Sequence, residues 1–182
     1  MPSYFLFLLL LIAALSHAVC HSILKYNKNP LGVLGITSII EIIIFTPLVI
    51  SVPFPTPYIW LLIIVSALLH GFYRLLVIFS YKFGDLSFIY PIARGSSSLF
   101  LAIISLIYLS DKISLVGFIA ILIVCLGLFL ISYSDKLKFN YSAFGLGFLT
   151  AIMITTYTLV DGIGVRHSVN PYSFLYWMLL LN

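Results

Sequence analysis

The sequence predicts an all-α polytopic membrane protein, and three observations carry that reading. Of 182 residues, 63% are hydrophobic and 8% charged, with a mean hydropathy of +1.22. The apolar residues gather into runs of about 20, the length a helix needs to cross a bilayer. The breaks between runs are short and rich in Pro, Gly, Asn and charge. A soluble domain is roughly 45–50% apolar and about 25% charged, so a water-soluble globule is excluded, as are disordered and collagen-like chains. The net charge of +4 comes from nine Lys/Arg against five acids. The basic residues are scattered and form no phosphate-tracking stripe, which excludes nucleic acid as a partner. Cys20 and Cys125 both lie in apolar runs, which excludes a disulfide framework and every Cys-based zinc pattern.

Six spans follow in order, over 4–23, 31–52, 58–81, 88–109, 114–133 and 141–165. The first lacks a basic n-region in Met1-Pro-Ser, so it reads as a span rather than a signal peptide cleaved near Ser16 and Ala18. It ends at Lys25-Tyr-Asn-Lys-Asn-Pro30, the second at Pro53-Phe-Pro-Thr-Pro57 and the third at Lys82-Phe-Gly-Asp85. Ser110-Asp-Lys112 closes the fourth, Asp135-Lys-Leu-Lys138 the fifth, and the segment from Arg166 to Pro171 the sixth. Open sheets cannot satisfy their backbone in lipid, so each span is a helix. Links this tight make sequential helices antiparallel neighbours. Tyr58, Trp60, Tyr81, Tyr133 and Tyr141 fit interfacial anchoring. Residues 172–181 form a stub of about 10 residues, too short to cross, so the chain is expected to be a truncated product or fragment that stops inside a seventh helix.

The segments Lys25 to Pro30 and Arg166 to Pro171 match. Each has a base five residues before the proline and Asn directly before it, at an offset of 141 residues. Five spans lie within that offset, and an odd number inverts the second copy. Inverted repeats mark secondary transporters, which bind solute near the midplane at the repeat interface. Small residues recur every four positions at Ala14, Ala18 and Ser22 and at Ala143, Gly147, Ala151 and Thr155. Such ladders let helices pack closely in lipid, and the offset superposes Ala14 on Thr155.

The block Tyr81-x-x-Gly84-Asp85-Leu86-Ser87-x-x-Tyr90-Pro91-Ile92-Ala93-Arg94-Gly95 resembles the junction of the third and fourth helices in EamA-type members of the drug/metabolite transporter superfamily. Leu109 to Ser114, Gly117, Leu122 to Gly127, Ala14-x-x-His17-Ala18 with Lys25, and Tyr157 to Arg166 resemble further parts of that family's pattern. Ser98 stands where the family often has proline, and Ser110-Asp111 where it has Gly-Glu. The resemblance implies ten helices in two inverted five-helix repeats. Residues 1–140 would be the first repeat and 141–182 the incomplete beginning of the second.

A charge at mid-helix costs about 2.5–3.5 kcal/mol on insertion scales, which singles out Glu41, Arg74, Arg94 and Asp161. Arg74 and Arg94 approach from the face that holds the 25–30 loop, and Glu41 is the acid in that half, so an arginine–Glu41 pair is expected. Snorkelling is the alternative for Arg74. Pro91 removes a backbone donor one turn before Arg94, which predicts a bent helix start with Tyr90 and Arg94 on one face. Arg94 suits an anionic or carboxylate-bearing group, or a structural ion pair. His17 and His21 share a face with Lys25; no third ligand is placed, so no metal site is expected. His70 shares a face with Ser66 and Arg74. Asp161 lies near the other membrane face and is either held by Arg166 or lines a cavity of the inverted half.

Tyr90, Pro91, Arg94, His17 and His21 are therefore the expected substrate path, with Phe100 on the lipid side of the fourth span. No Ser/His/Asp nucleophile set, phosphate-cradling loop or metal cluster is visible, so no enzyme chemistry or cofactor is expected. The expected function is a secondary transporter (permease) of a small organic metabolite or drug-like solute. The alternative is a non-transporting assembly subunit or membrane enzyme. The expected location is multi-pass in a bacterial cytoplasmic (inner) membrane, with the lipid bilayer and a small-molecule solute as partners, and a homodimer if the short chain functions. Loop lysines favour an outside N-terminus, whereas the resemblance implies a cytoplasmic one.

Overall fold

The computed structural model describes residues 3–108, 114–132 and 140–182. Within them the chain forms α1 (Ser3–Tyr26), α2 (Pro30–Ile50), α3 (Pro57–Phe83), α4 (Leu86–Tyr108), α5 (Leu115–Ser132), α6 (Tyr141–His167) and α7 (Pro171–Leu181). Five of these, α1 to α4 and α6, are long and apolar enough to cross a membrane, and the protein is an integral, multi-pass, all-helical chain. The breaks at 110–112 and 135–138, the motif residues from Leu109 to Ile113, Tyr133, Met1 and Pro2 lie outside the described residues.

Both Asn-Pro pairs start helices in the same way. Asn29 Oδ1 accepts from the Gly32 amide at 3.0 Å ahead of Pro30, and Asn170 Oδ1 accepts from the Tyr172 amide at 2.9 Å ahead of Pro171. An Asn cap satisfies an orphan donor of the first turn, and proline there loses no hydrogen bond. Asn140 caps α6 through the Ser142 and Ala143 amides and also donates to the Phe83 carbonyl at 2.7 Å. The start of α6 is thereby tied to the end of α3. Lys25 caps that same end from α1, donating to the carbonyls of Tyr81 at 2.6 Å and Gly84 at 2.7 Å, where a cation complements the helix dipole.

Chain order does not set the packing. α6 is the central helix, pressed against α3 and α4, and α4 packs on α5; α2 leans on α7, and consecutive helices among α1 to α4 touch lightly, apart from α4 on α5. Among the described residues α5 and α6 make no close approach, so the expectation that sequential helices are neighbours fails for that pair. Lipid tails are as apolar as side chains, so helix contact follows small residues rather than sequence order. Ala143, Gly147, Ala151 and Thr155 are all buried in α6. A Cβ on Gly147 would stand 3.3 Å from Ile92 Cγ2 and 3.5 Å from the Ile89 carbonyl oxygen, which is how closely α4 crosses. The matching ladder on α1 behaves differently: Ala14 and Ala18 are exposed, because α1 meets the bundle through His17, His21, Leu24 and Lys25.

Two apolar clusters hold the ends. Leu24, Val77, Tyr81, Phe88, Ile89, Ile92 and Ala143 join α1, α3, α4 and α6, while Ile59, Ile63, Phe174 and Met178 join α3 to α7. α4 is helical through Pro91, whose ring falls in the second turn and leaves the Ser87 carbonyl without its amide partner. Two expectations change here. Tyr81 is buried against α1 instead of anchoring at the interface, whereas Tyr58 and Tyr141 stay exposed. Phe100 is half-buried, edge-on to Phe148 of α6 at 5.4 Å.

Candidate functional site

Polar side chains of α1, α2, α3 and α6 converge on a cavity of about 280 Å³ inside the bundle. His17, Cys20 and His21 line it from α1, Thr37 and Glu41 from α2, His70, Tyr73 and Arg74 from α3, and Tyr157 from α6, with Asn182 at one edge. A narrower pocket of about 10 Å³ shares His21, Tyr73 and Val77 with it and reaches Tyr81, Tyr90 and Arg94. That is room for about one water molecule.

Around the narrow pocket the two histidines of α1 meet α3 and α4. The His17 and His21 ring centroids lie 4.4 Å apart, and Tyr90 stands edge-on to His21 at 5.1 Å. His21 Nδ1 shares a hydrogen bond of 2.6 Å with the Tyr81 hydroxyl, and its Nε2 lies 3.4 Å from that of Tyr73. Arg94 donates to His17 Nε2. A guanidinium has no acceptor, so His17 presents a lone pair there and is neutral. The same guanidinium lies over the Tyr90 ring at 5.9 Å and fills the space beside the histidine pair with positive charge.

Of the two arginines expected near Glu41, Arg74 is the one that reaches it. Its Nη2 donates to both carboxylate oxygens, at 2.9 and 3.0 Å, and its Nη1 to Ser38 Oγ at 3.2 Å and the Asn182 carbonyl at 3.1 Å. This fork occupies the guanidinium, so Arg74 bridges α2, α3 and the end of α7 instead of snorkelling.

Asp161 lies against the middle of α3. Ser66 Oγ donates to its Oδ1, and His70 Nε2 stands 3.7 Å from its Oδ2. The fold therefore does gather a serine, a histidine and an aspartate, which the sequence reading did not foresee. The order is not that of a hydrolytic triad, because the serine hydroxyl gives its hydrogen directly to the carboxylate and meets only the imidazole Nδ1, at 3.3 Å, which also bonds the Ser66 backbone oxygen.

Among the five expected path residues, His17 and His21 line the large cavity, and His21, Tyr90 and Arg94 line the narrow pocket. Pro91 is buried and lines neither. Tyr73, Tyr157 and Ser38 escaped the sequence reading. A mid-span hydroxyl that needs a partner is the signal that could have found them. Compared with family models, with curated proteins and with solved structures, the chain matches none.

Proposed function

We propose that this chain forms the solute path of an EamA-like secondary transporter that moves a small organic metabolite or drug-like molecule across the membrane. The observation that carries this is the cavity of about 280 Å³ lined by His17, Glu41, His70, Arg74 and Tyr157. Such side chains are expensive against lipid and cheap beside a water-filled cleft, and a concave, largely apolar space with a few convergent polar groups is the form of a small-molecule site. The aromatic walls suit an organic solute. The donors of Arg94 at the narrow end suit an anionic or carboxylate-bearing group. One observation favours a second reading, an assembly subunit: the exposed Ala14 and Ala18 ladder on α1 offers a face to another helix. Flux of a panel of labelled organic anions and amines into proteoliposomes decides between them.

Access to the path is testable without a known substrate. In the wild-type protein, Cys20 at the cavity wall should react with a small charged thiol reagent, and buried Cys125 should not. In a background lacking both, His17→Cys should react, His21→Cys, Tyr90→Cys and Arg94→Cys at the narrow pocket more slowly, and Ile107→Cys, 66% exposed on the outside of an apolar helix, should not. Unreactive cysteines at positions 17 and 20 in folded protein would remove the path from this cavity.

A further inference from the structure

We propose that Ser66, His70 and Asp161, between α3 and α6, form a proton-binding site that holds one exchangeable proton between the His70 imidazole and the Asp161 carboxylate. The inference stands apart from the transport reading, since titration reads this site and flux reads transport.

The argument is one of donors and acceptors. His70 Nδ1 lies 3.0 Å from the Ser66 backbone oxygen, which can only accept, so Nδ1 carries a hydrogen. The second contact of Nδ1, at 3.3 Å, is Ser66 Oγ, whose own hydrogen is given to Asp161 Oδ1. The other ring nitrogen, Nε2, is left facing Asp161 Oδ2 at 3.7 Å. Without a further proton, two lone pairs confront each other across that gap. With one proton, on either atom, the pair has zero net charge, as an ion pair or as two neutral groups. Losing it leaves one negative charge inside the membrane-spanning region, held by the Ser66 hydroxyl.

His70 lines the large cavity, so the proton has a route. A hydronium ion in the cavity gives its proton to the His70 imidazole and leaves as water, and release reverses the step. The surrounding groups set the balance. On α6, the Tyr157 ring lies against His70, tilted by 33° at 4.0 Å. On α3, Tyr73 packs against Tyr157, and Arg74 one turn away is neutralised by Glu41 of α2. Across the cavity, α1 presents His17 and His21, the former bound to Arg94 of α4. The end of α7 adds the Asn182 side-chain amide.

The experiment uses the full chain in lipid nanodiscs, with aspartate carboxyls labelled with carbon-13 and infrared difference spectra recorded across pH. The chain has four aspartates, Asp85, Asp111, Asp135 and Asp161, and the first three fall in breaks between spans. One labelled carboxyl should titrate apart from the others and vanish in Asp161→Asn. In His70→Gln its proton affinity should move by about tenfold, one pKa unit. Should Asp161→Asn fail to fold, the wild-type and His70→Gln spectra still decide. The proposal is overturned if no labelled carboxyl titrates separately in the wild type, if the midpoint is unmoved in His70→Gln, or if the signal follows sodium at fixed pH.

Discussion

Glu41→Ala should lower the folding equilibrium constant of the protein in micelles by about a hundredfold, and Arg74→Ala in the same chain should restore most of it. Removing one partner of a buried ion pair costs about 3–5 kcal/mol, because the remaining charge is left uncompensated, and about 1.4 kcal/mol is a tenfold change in an equilibrium. Two factors reduce the cost here. Ser38 and the Asn182 carbonyl keep one arm of the guanidinium bonded, and in membranes the unfolded reference state also finds polar partners. The expected loss therefore sits at the lower end of that range. Rescue follows because the unpaired cation, rather than the absent carboxylate, is what destabilises Glu41→Ala. Arg94→Ala should not rescue, since Arg94 bonds to His17 and not to Glu41. The readout is denaturant-induced unfolding of the two single arginine variants, Glu41→Ala and both doubles. A loss in Glu41→Ala/Arg74→Ala equal to the sum of the singles would show that the two side chains do not depend on each other.

The partner of Glu41 illustrates what a sequence can convey about such a chain. Hydropathy locates spans because lipid imposes one requirement on every residue of a run, and each span predicted from it agrees with a helix end to within three residues among those described. Mid-span charges are legible for the same reason. What one chain does not display is the rotation of each helix about its axis, and rotation chooses partners. Ser66 and His70 are visibly one turn apart on α3, yet Asp161 joins them from 95 residues away. The ladders on α1 and α6 read alike, but one is buried and the other exposed, so small residues permit close packing without compelling it. Tyr81 shows a further ambiguity. An aromatic hydroxyl near a helix end suits an interface or a buried partner equally, and His21 decides which.

Gly164→Val should unseat α7, and this is the packing change with the largest expected effect. A Cβ at Gly164 would collide with the edge of the Phe174 ring, a side chain that is 0% exposed and packed with Ile59, Ile63 and Met178. Two opposing terms meet at this position. Replacing a helix-interior glycine improves helix propensity by up to about 1 kcal/mol. Overpacking a filled core costs typically 1–3 kcal/mol, and here the ring must leave its place altogether, so the steric term wins. No hydrophobic gain redocks the helix afterwards, since lipid serves the expelled ring as well as protein does. The event has a built-in reporter. The chain has two tryptophans, Trp60 on α3 and Trp177 on α7, with ring centroids 5.0 Å apart beside this contact. In Gly164→Val their emission should shift and become open to a lipid-soluble quencher. Gly162→Val, whose Cβ meets nothing within 4 Å, should leave emission unchanged. Phe174→Ala added to Gly164→Val clears the clash and should return the spectrum most of the way to that of the wild type. If Gly162→Val and Gly164→Val perturb the tryptophans alike, the effect belongs to the α6 backbone, and Phe174 is not what holds α7 in its seat.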